Sequence, residues 1–308
     1  MNNRFQRPLA YASLALSMGL VGTYVAFTKP LVAAIPVFLL AWMRFGIAAV
    51  AMASWLKTPN HEAPLETKTK ILLFFESFLG NFLFSMCMLF GVSMTSTVSA
   101  GVILAAIPAV SALMGWYFLN ERMGLRLGIS VVFAALGIAL LSLAKVTPPT
   151  GTVLVEADHA QHALWGNLLV FGAVVCEAAY IVIGKRLTAD ISPKRIAAII
   201  NLCGFALSTP LGLYAALQFD FSAVAAPSWL LLVFYALAAS VWTVWLWMTG
   251  LKTVPATQAG VFSVMLPISA VLIGTLVFDE PFSALQSVAF GVALLSLLLA
   301  TLPQRSKV

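Results

Sequence analysis

Long apolar runs follow one another along the chain, and short polar connectors separate them. The runs lack the strict alternation of apolar and polar residues that membrane strands show, so they predict helices. Each has about the 20 residues that a helix needs to cross the hydrocarbon core of a bilayer. The ten predicted spans are residues 9–28, 36–56, 71–94, 96–119, 124–145, 164–185, 195–217, 228–251, 257–278 and 282–302.

Composition agrees with a chain whose solvent is the bilayer. Of the 308 residues, 61% are hydrophobic and 9% are charged, whereas soluble domains have about 45–50% and about 25%. The three cysteines lie inside apolar runs, which predicts small core residues and no disulfides. The first run has full span length and no small-residue cleavage site, so we predict a membrane helix there and not a signal peptide.

The basic residues predict the orientation of the chain. Of the 17 lysines and arginines, Lys29 and Lys145 fall on one side and Arg44 falls within a span, which leaves 14 on the side of both termini. This bias predicts a multi-pass protein of the inner (plasma) membrane with both termini in the cytoplasm. The net charge of +6 therefore reflects topology and does not indicate a nucleic-acid partner.

The second half of the chain repeats the first. The segment from Gly91 aligns without gaps with the segment from Gly250, an offset of 159 positions. The pairs that carry the alignment are Gly101 with Gly260, Pro108 with Pro267, Gly115 with Gly274, and Glu121 with Glu280. A weaker match, at an offset of 156, pairs Tyr24 with Tyr180.

Five helices per repeat is an odd number, so the second copy is inverted in the membrane. Inverted repeats are typical of secondary transporters, whose substrate site lies near the midplane between the two halves. We predict an all-α integral membrane fold with two inverted five-helix repeats around a central cavity. The predicted divisions are a first repeat (1–145), an external connector (146–163), a second repeat (164–302) and a cytoplasmic tail (303–308).

The doubled pattern A-G-V-x5-P-x6-G-x5-E, together with the sixth-helix opening Gly166-Asn167-Leu168-Leu169, resembles the drug/metabolite transporter superfamily. Specifically, nearly the whole chain is similar to the ten-helix EamA-type exporters. The resemblance implies two five-helix bundles around a cavity lined mostly by helices 1, 3, 4, 6, 8 and 9. Among these exporters, those of aromatic amino acids are the favoured neighbours, although the motifs identify the scaffold and not the substrate.

Three ionisable residues lie within the predicted spans, where they are costly and are candidates for function. Glu177 lies 13 residues into its span; it either exchanges a proton or meets a substrate ammonium, or it forms a structural pair. Glu76 either contacts substrate or pairs with Lys68 and Lys70 near the membrane surface. Arg44 is either a bidentate clamp for a substrate carboxylate or a brace between helices.

Uncharged polar residues and prolines supply further candidates. Asn81, Ser99 and Gln258 lie at membrane depth, where a polar group either faces the cavity and contacts substrate or adds about 0.6 kcal/mol of helix packing. Pro108 and Pro267 remove a backbone hydrogen bond and are candidates for a gate or hinge, although proline is also tolerated in membrane helices.

Aromatic residues bear on the class of substrate. Trp242 and Trp245 are three positions apart and share a helix face, so they form either an aromatic wall for planar or cationic substrates or anchors at the membrane surface. Tyr24 and Tyr180, which are matched across the repeat, are cavity candidates.

The sequence lacks the motifs of ATP-driven or hydrolytic enzymes. No phosphate-binding loop, HExxH or GxSxG occurs, so we predict no catalytic residues, no cofactor and no ATP. The external stretch 156–162 contains Glu156, Asp158, His159 and His162. It is compatible with weak metal binding, but a solvated loop is favoured and no metal site is predicted.

The favoured function is a secondary transporter that exports small metabolites, above all amino acids including aromatic ones, by alternating access. The alternatives are an exporter or facilitator of drugs, nucleotide sugars or polyamines, a channel, and a membrane-embedded enzyme or lipid-handling protein. The predicted partners are a small-molecule substrate, the bilayer and, as a coupling ion, protons. Gly124 and Gly128 allow close helix contact, which leaves a monomer and a weak homodimer open.

Overall fold

A computed structural model describes residues 3–26, 31, 34–58, 62, 64–94, 103–143, 157–277 and 284–302, and these residues contain helices and connectors but no strand. The helices are α1 (Asn3–Ala26), α2 (Val37–Ala51), α3 (Thr67–Ser77, Phe78–Leu83 and Phe84–Met94), α4 (Ile107–Leu119), α5 (Leu125–Leu143), α6 (Ala157–Asp190), α7 (Pro193–Leu217), α8 (Ala226–Ala236, Leu237–Trp242 and Thr243–Thr253), α9 (Ala256–Ala259, Gly260–Val264 and Met265–Val277) and α10 (Ala284–Thr301).

The helices have the apolar character that a bilayer requires. Within the described residues, five helices are long and apolar enough to cross a membrane, and shorter apolar helices account for much of the remainder. The prediction of an all-α membrane fold is confirmed. The number of ten crossings stays a prediction.

Helices α3 and α8 contain the same interruption at equivalent positions. Each changes from α- to π-helix for six residues, Phe78–Leu83 in α3 and Leu237–Trp242 in α8. The α-helical parts on both sides also have equal lengths, and every boundary in α8 lies 159 positions after its counterpart in α3. The offset found around Gly91 and Gly250 therefore extends back through the whole third and eighth helices.

The packing of the helices repeats in the same way. Helix α6 packs against α3 and α4, and α1 packs against α8 and α9. The remaining extensive contacts join α2 to α7 and α5 to α10. Exchanging the two halves of the chain converts each of these pairs into another member of the set, which is the arrangement that a pseudo-twofold axis produces.

The largest buried core lies where α1, α6, α7 and α8 meet. Leu14, Ile181, Ile196 and Trp247 are completely or almost completely buried in it. The core also contains Ala48 of α2, Leu73 of α3 and Phe262 of α9, so it joins helices of the first half to helices of the second. The two repeats are therefore packed into one body, and residues from both halves approach each other along their interface.

The connector before α3 closes on the beginning of α7. Arg195 donates from Nη1 to Oε2 of Glu62 at 2.7 Å, and the backbone N–H of Ser192 donates to Oε1 at 2.8 Å. Ser192 is the residue before the first turn of α7, so the carboxylate also offsets the positive end of that helix. Burial raises the pKa of the Glu62 carboxyl, but the hydrogen bonds from Arg195 and Ser192 outweigh it and lower the net pKa below its ordinary value.

We expect Glu62→Gln to lower the free energy of unfolding by about 1–3 kcal/mol at pH 7, because it removes hydrogen bonds to a charged group. The lowered pKa of Glu62 means that this stabilisation is present above the unfolded pKa of about 4.3. It is lost as the pH falls through the folded pKa. In thermal unfolding in detergent from pH 7 to pH 3, the difference in unfolding temperature between the unmodified protein and Glu62→Gln should therefore shrink on acidification. Asp190→Asn, at an exposed position, is the control. If the unmodified protein and Glu62→Gln differ by the same amount at every pH, the prediction is contradicted.

Candidate substrate site

Glu76 lies in the last turn of α3 before its π-helical segment, at the contact with α6. Its side chain is completely buried, and neither carboxylate oxygen has a hydrogen-bond partner. Oε1 lies 2.8 Å from the point that a Cβ on Gly184 would occupy, so the carboxylate rests against bare backbone of α6. The side chains of Leu251 and Met248 reach the same point. Glu76 therefore does not pair with Lys68 or Lys70, which are exposed.

Glu177 and Tyr180 stand on one face of α6, three positions apart. Glu177 is partly exposed, and it interacts electrostatically with both Glu76 and Tyr180. The Tyr180 ring lies so close to α3 that a Cβ on Gly80 would be 2.3 Å from Cδ2. Because Gly80 lies in the π-helical segment, the ring of Tyr180 touches α3 where its hydrogen-bond pattern changes.

Arg44 of α2 and two tyrosines form the other side of the cluster. The guanidinium lies 4.3 Å from the ring centroid of Phe45 and 6.0 Å from that of Tyr235. The rings of Tyr24 and Tyr235 meet edge to face at 5.5 Å. Arg44 Nε is buried without a hydrogen-bond partner, and no acidic side chain pairs with this arginine in the described part of the chain.

Tyr24 connects the two sides, because it interacts electrostatically with Arg44 and with Glu177. We define the polar cluster as Arg44, Tyr24, Tyr235, Glu177, Tyr180 and Glu76. It takes residues from α1, α2, α3, α6 and α8, so both halves of the chain contribute. The cluster holds a cation at one side, two carboxyl groups at the other and three phenol rings between or beside them.

Tyr235 is the member that sequence reasoning did not select. It lies 159 positions after Glu76, and both stand two residues before a π-helical segment. The signal was present in the offset, but a glutamate and a tyrosine score as a mismatch. The two repeats therefore carry different side chains at structurally equivalent positions.

Other predicted site residues lie elsewhere. Trp245 lies 6.1 Å from Trp55 between ring centroids, and Lys194 Nζ is 5.9 Å from its ring. Trp242 is exposed and meets Phe234 at 6.4 Å. Gln258 donates to the hydroxyl of Tyr11 and to the carbonyl of Ala300, neither of which belongs to the cluster.

Asn81 lies inside the π-helical segment of α3, next to Gly80. Ser99 is outside the described residues. Whether either side chain contacts a substrate stays a prediction.

The two prolines occupy equivalent places at the start of α-helical segments. Pro108 is the second residue of α4, directly after a turn at Ala105–Ala106. Pro267 is the third residue of the α-helical part Met265–Val277, which follows the 3₁₀ segment Gly260–Val264. Pro108 is tolerated because a residue in the first turn of an α-helix has no intrahelical partner for its N–H. Both lie where a helix changes its pitch, and their role as hinges stays a prediction.

Comparison with known proteins shows which family has this fold and this repeat. The sequence profile of the EamA-like transporter family matches residues 9–143 and again residues 164–302. The chain belongs to the EamA-like transporter family. The resemblance to the drug/metabolite transporter superfamily is thereby confirmed, and the protein is a transporter in a multi-pass membrane fold.

Two curated relatives of this chain come from Bacillus subtilis (strain 168). The chain is 34% identical to the uncharacterized transporter YetK over 274 residues, which cover 89% of this chain and 81% of the relative. It is 23% identical to the uncharacterized transporter YyaM over 262 residues, which cover 85% and 83%. A crystal structure of another protein matches 96% of this chain and 97% of its own with a TM-score of 0.74. Its sequence identity of 18% means that it shows the fold alone.

Proposed function

We propose that this transporter exports amino acids, aromatic ones included, from the cytoplasm across the inner membrane. The observation that carries the proposal is the polar cluster, which holds Arg44 apart from Glu76 and Glu177 with tyrosine rings next to both. An α-amino acid has the complementary pattern of a carboxylate and an ammonium group. Its carboxylate would meet Arg44, whose fork suits a carboxylate, and its ammonium would meet a glutamate.

The tyrosines extend this match to aromatic side chains. Tyr24, Tyr180 and Tyr235 offer ring edges and faces within the same cluster, and aromatic pairs contribute about 0.5–1.5 kcal/mol beyond the area that they bury. An aliphatic amino acid keeps both charged contacts but loses the ring contact. The proposed site therefore favours aromatic amino acids over small ones by about two- to twelvefold.

Alternating access is the proposed mode of transport. The repeated helix boundaries and the repeated helix pairs support two states in which the halves exchange their conformations. The π-helical segments in α3 and α8 adjoin the cluster, and such segments occur often at functional sites. We propose that they, with the pitch changes near Pro108 and Pro267, absorb the movement. Both termini are proposed to lie in the cytoplasm, on the side that carries the basic connectors.

The substrate class is tested in proteoliposomes that contain the purified protein, at two pH gradients. We expect counterflow of labelled phenylalanine that unlabelled phenylalanine, tyrosine and tryptophan inhibit. Phenethylamine lacks the carboxylate and 3-phenylpropionate lacks the ammonium, so each should inhibit at least about tenfold less well. If no amino acid moves or competes, the proposed substrate class is wrong.

Arg44→Gln should raise the KM for phenylalanine at least about tenfold, because a hydrogen-bonded charge pair contributes about 1.5–3 kcal/mol. It should leave inhibition by phenethylamine unchanged, since that compound has no carboxylate. Arg186→Gln, which removes an exposed arginine at the end of α6, is the matched control. Equal loss for both compounds would assign Arg44 to helix bracing, which is the alternative role.

A second candidate, export of organic cations such as polyamines, is favoured by the excess of carboxyl groups over arginine in the polar cluster. The same competition series separates the two candidates. Inhibition by phenethylamine or spermidine as strong as that by phenylalanine would favour cation export.

A further inference from the structure

A second polar cavity lies at the end of the bundle where α1 begins and α10 ends. Its volume is about 350 Å³, and α1, α5, α9 and α10 contribute to its walls together with the connector before α5. Three arginines line it: Arg7, Arg122 and Arg126. None of the polar-cluster residues belongs to it, so this arginine cavity is separate from the proposed substrate site.

Part of the cavity wall is held in place by hydrogen bonds between helices. Gln258 at the start of α9 donates to the hydroxyl of Tyr11 in α1 and to the carbonyl of Ala300 in α10. Arg126 donates from Nη2 to the carbonyl of Leu302, just after α10 ends. These bonds connect α1, α5, α9 and α10 around the opening, so the fold itself holds the cavity in shape.

Among the described residues, the lining of the cavity is basic. None of the described residues that line it is acidic. Arg7 and Arg122 are exposed to the cavity side and make no ion pair or hydrogen bond within the described ranges. Glu121 lies beside the cavity, but its two oxygens accept from the backbone N–H groups of Ala256 and Thr257, both at 2.8 Å. That carboxylate is therefore engaged by the start of α9.

We propose that the arginine cavity binds a phosphate group at the membrane surface. Arginine presents planar pairs of N–H donors that match phosphate oxygens, and basic pockets between membrane helices bind the headgroups of anionic lipids. The cavity lies at the level of helix ends, which is the level of headgroups in a bilayer. Two sources carry this chemistry, an anionic phospholipid and free phosphate.

The test compares lipid binding to the full chain by native mass spectrometry in detergent. Phosphatidylglycerol and phosphatidylcholine with the same acyl chains are titrated separately, and thermal unfolding is followed with added inorganic phosphate. The variant is Arg7→Gln with Arg122→Gln. The matched control is Lys68→Gln with Arg186→Gln, which removes two exposed charges outside the cavity. Unfolding without lipid or phosphate verifies that all three proteins are folded.

We expect phosphatidylglycerol to bind the unmodified protein and the control at least about tenfold more tightly than it binds the cavity variant. Phosphatidylcholine should show no such difference. Stabilisation by inorganic phosphate that the cavity variant loses would identify free phosphate as a ligand, and its absence alongside the lipid effect would identify the headgroup. Equal binding by the variant, or an equal loss in the control, would overturn the proposal.

Discussion

Replacing Glu76 with glutamine is expected to reduce transport at least about tenfold while the protein keeps its fold. The carboxyl group is completely buried, and neither oxygen has a hydrogen-bond partner. A buried charge without a partner is very costly, so we expect the Glu76 carboxylate either to take up a proton or to bind a cation. Glutamine has the same shape as the acid but neither takes up a proton nor carries the negative charge that attracts an ammonium.

The measurement is the initial rate of phenylalanine transport in proteoliposomes over a range of pH. Glu66→Gln is the control, because Glu66 is exposed one residue before α3 begins and forms no side-chain cap. We expect the control to match the unmodified protein at every pH. Transport by Glu76→Gln with an unchanged rate and pH profile would remove this carboxyl group from the mechanism.

Replacing Glu76 with an apolar residue should raise the stability of the protein although it abolishes transport. Methionine has a similar length, and its side chain suits the contact with Leu251 and Met248. Glu76→Met removes a buried polar group that has no partner, so it should raise the free energy of unfolding by about 1–3 kcal/mol while transport is lost. A variant that gains stability and loses function distinguishes a functional carboxyl group from a structural one.

The sequence predicted the individual members of the polar cluster better than their assembly. Glu76, Glu177 and Arg44 stood out because charge is rare in apolar spans, and Tyr24 and Tyr180 stood out through the repeat. The distances among them depend on helix contacts, which no local pattern encodes. Trp242 and Trp245 show the limit: their spacing identifies a shared helix face, but it does not say what that face meets.

The extent of the repeat shows the same limit in the fold. Matching glycine, proline and glutamate positions revealed the offset of 159 from Gly91 onward, because few residue types are suited to a close helix contact or to a helix end. Upstream, Glu76 aligns with Tyr235 and Gly80 aligns with Ala239, so little sequence identity remains while the helix boundaries persist. A π-helical segment has no strong residue signature, and its presence in both repeats became visible only in the backbone.

Alanine at Gly91 or Gly250 is expected to destabilise the protein by about 3 kcal/mol, the cost of overfilling a tightly packed contact. A Cβ on Gly91 would lie 3.0 Å from the backbone nitrogen of Val170 and 3.1 Å from the carbonyl oxygen of Gly166. A Cβ on Gly250 would lie 2.5 Å from Cγ of Leu14 and 2.9 Å from the carbonyl oxygen of Ala10. Backbone atoms cannot move aside without shifting a helix.

Thermal unfolding in detergent measures both variants, with Gly128→Ala as the control. A Cβ on Gly128 would meet nothing within 4 Å, and alanine is the better helix former by up to about 1 kcal/mol. The control should therefore unfold at the same or a higher temperature. If Gly128→Ala and the two test variants unfold together, general helix effects would explain the result and the close contacts would not.

The comparison between the two test variants examines the symmetry itself. Gly91 lies at the contact of α3 with α6, and Gly250 lies at the contact of α8 with α1. These contacts exchange under the pseudo-twofold relation, so their losses of stability should agree within about 1 kcal/mol. Because the two sites share no neighbours, the double variant should show the sum of the single effects. A large cost at one glycine and none at the other would mean that the two halves, although built alike, carry the packing unequally.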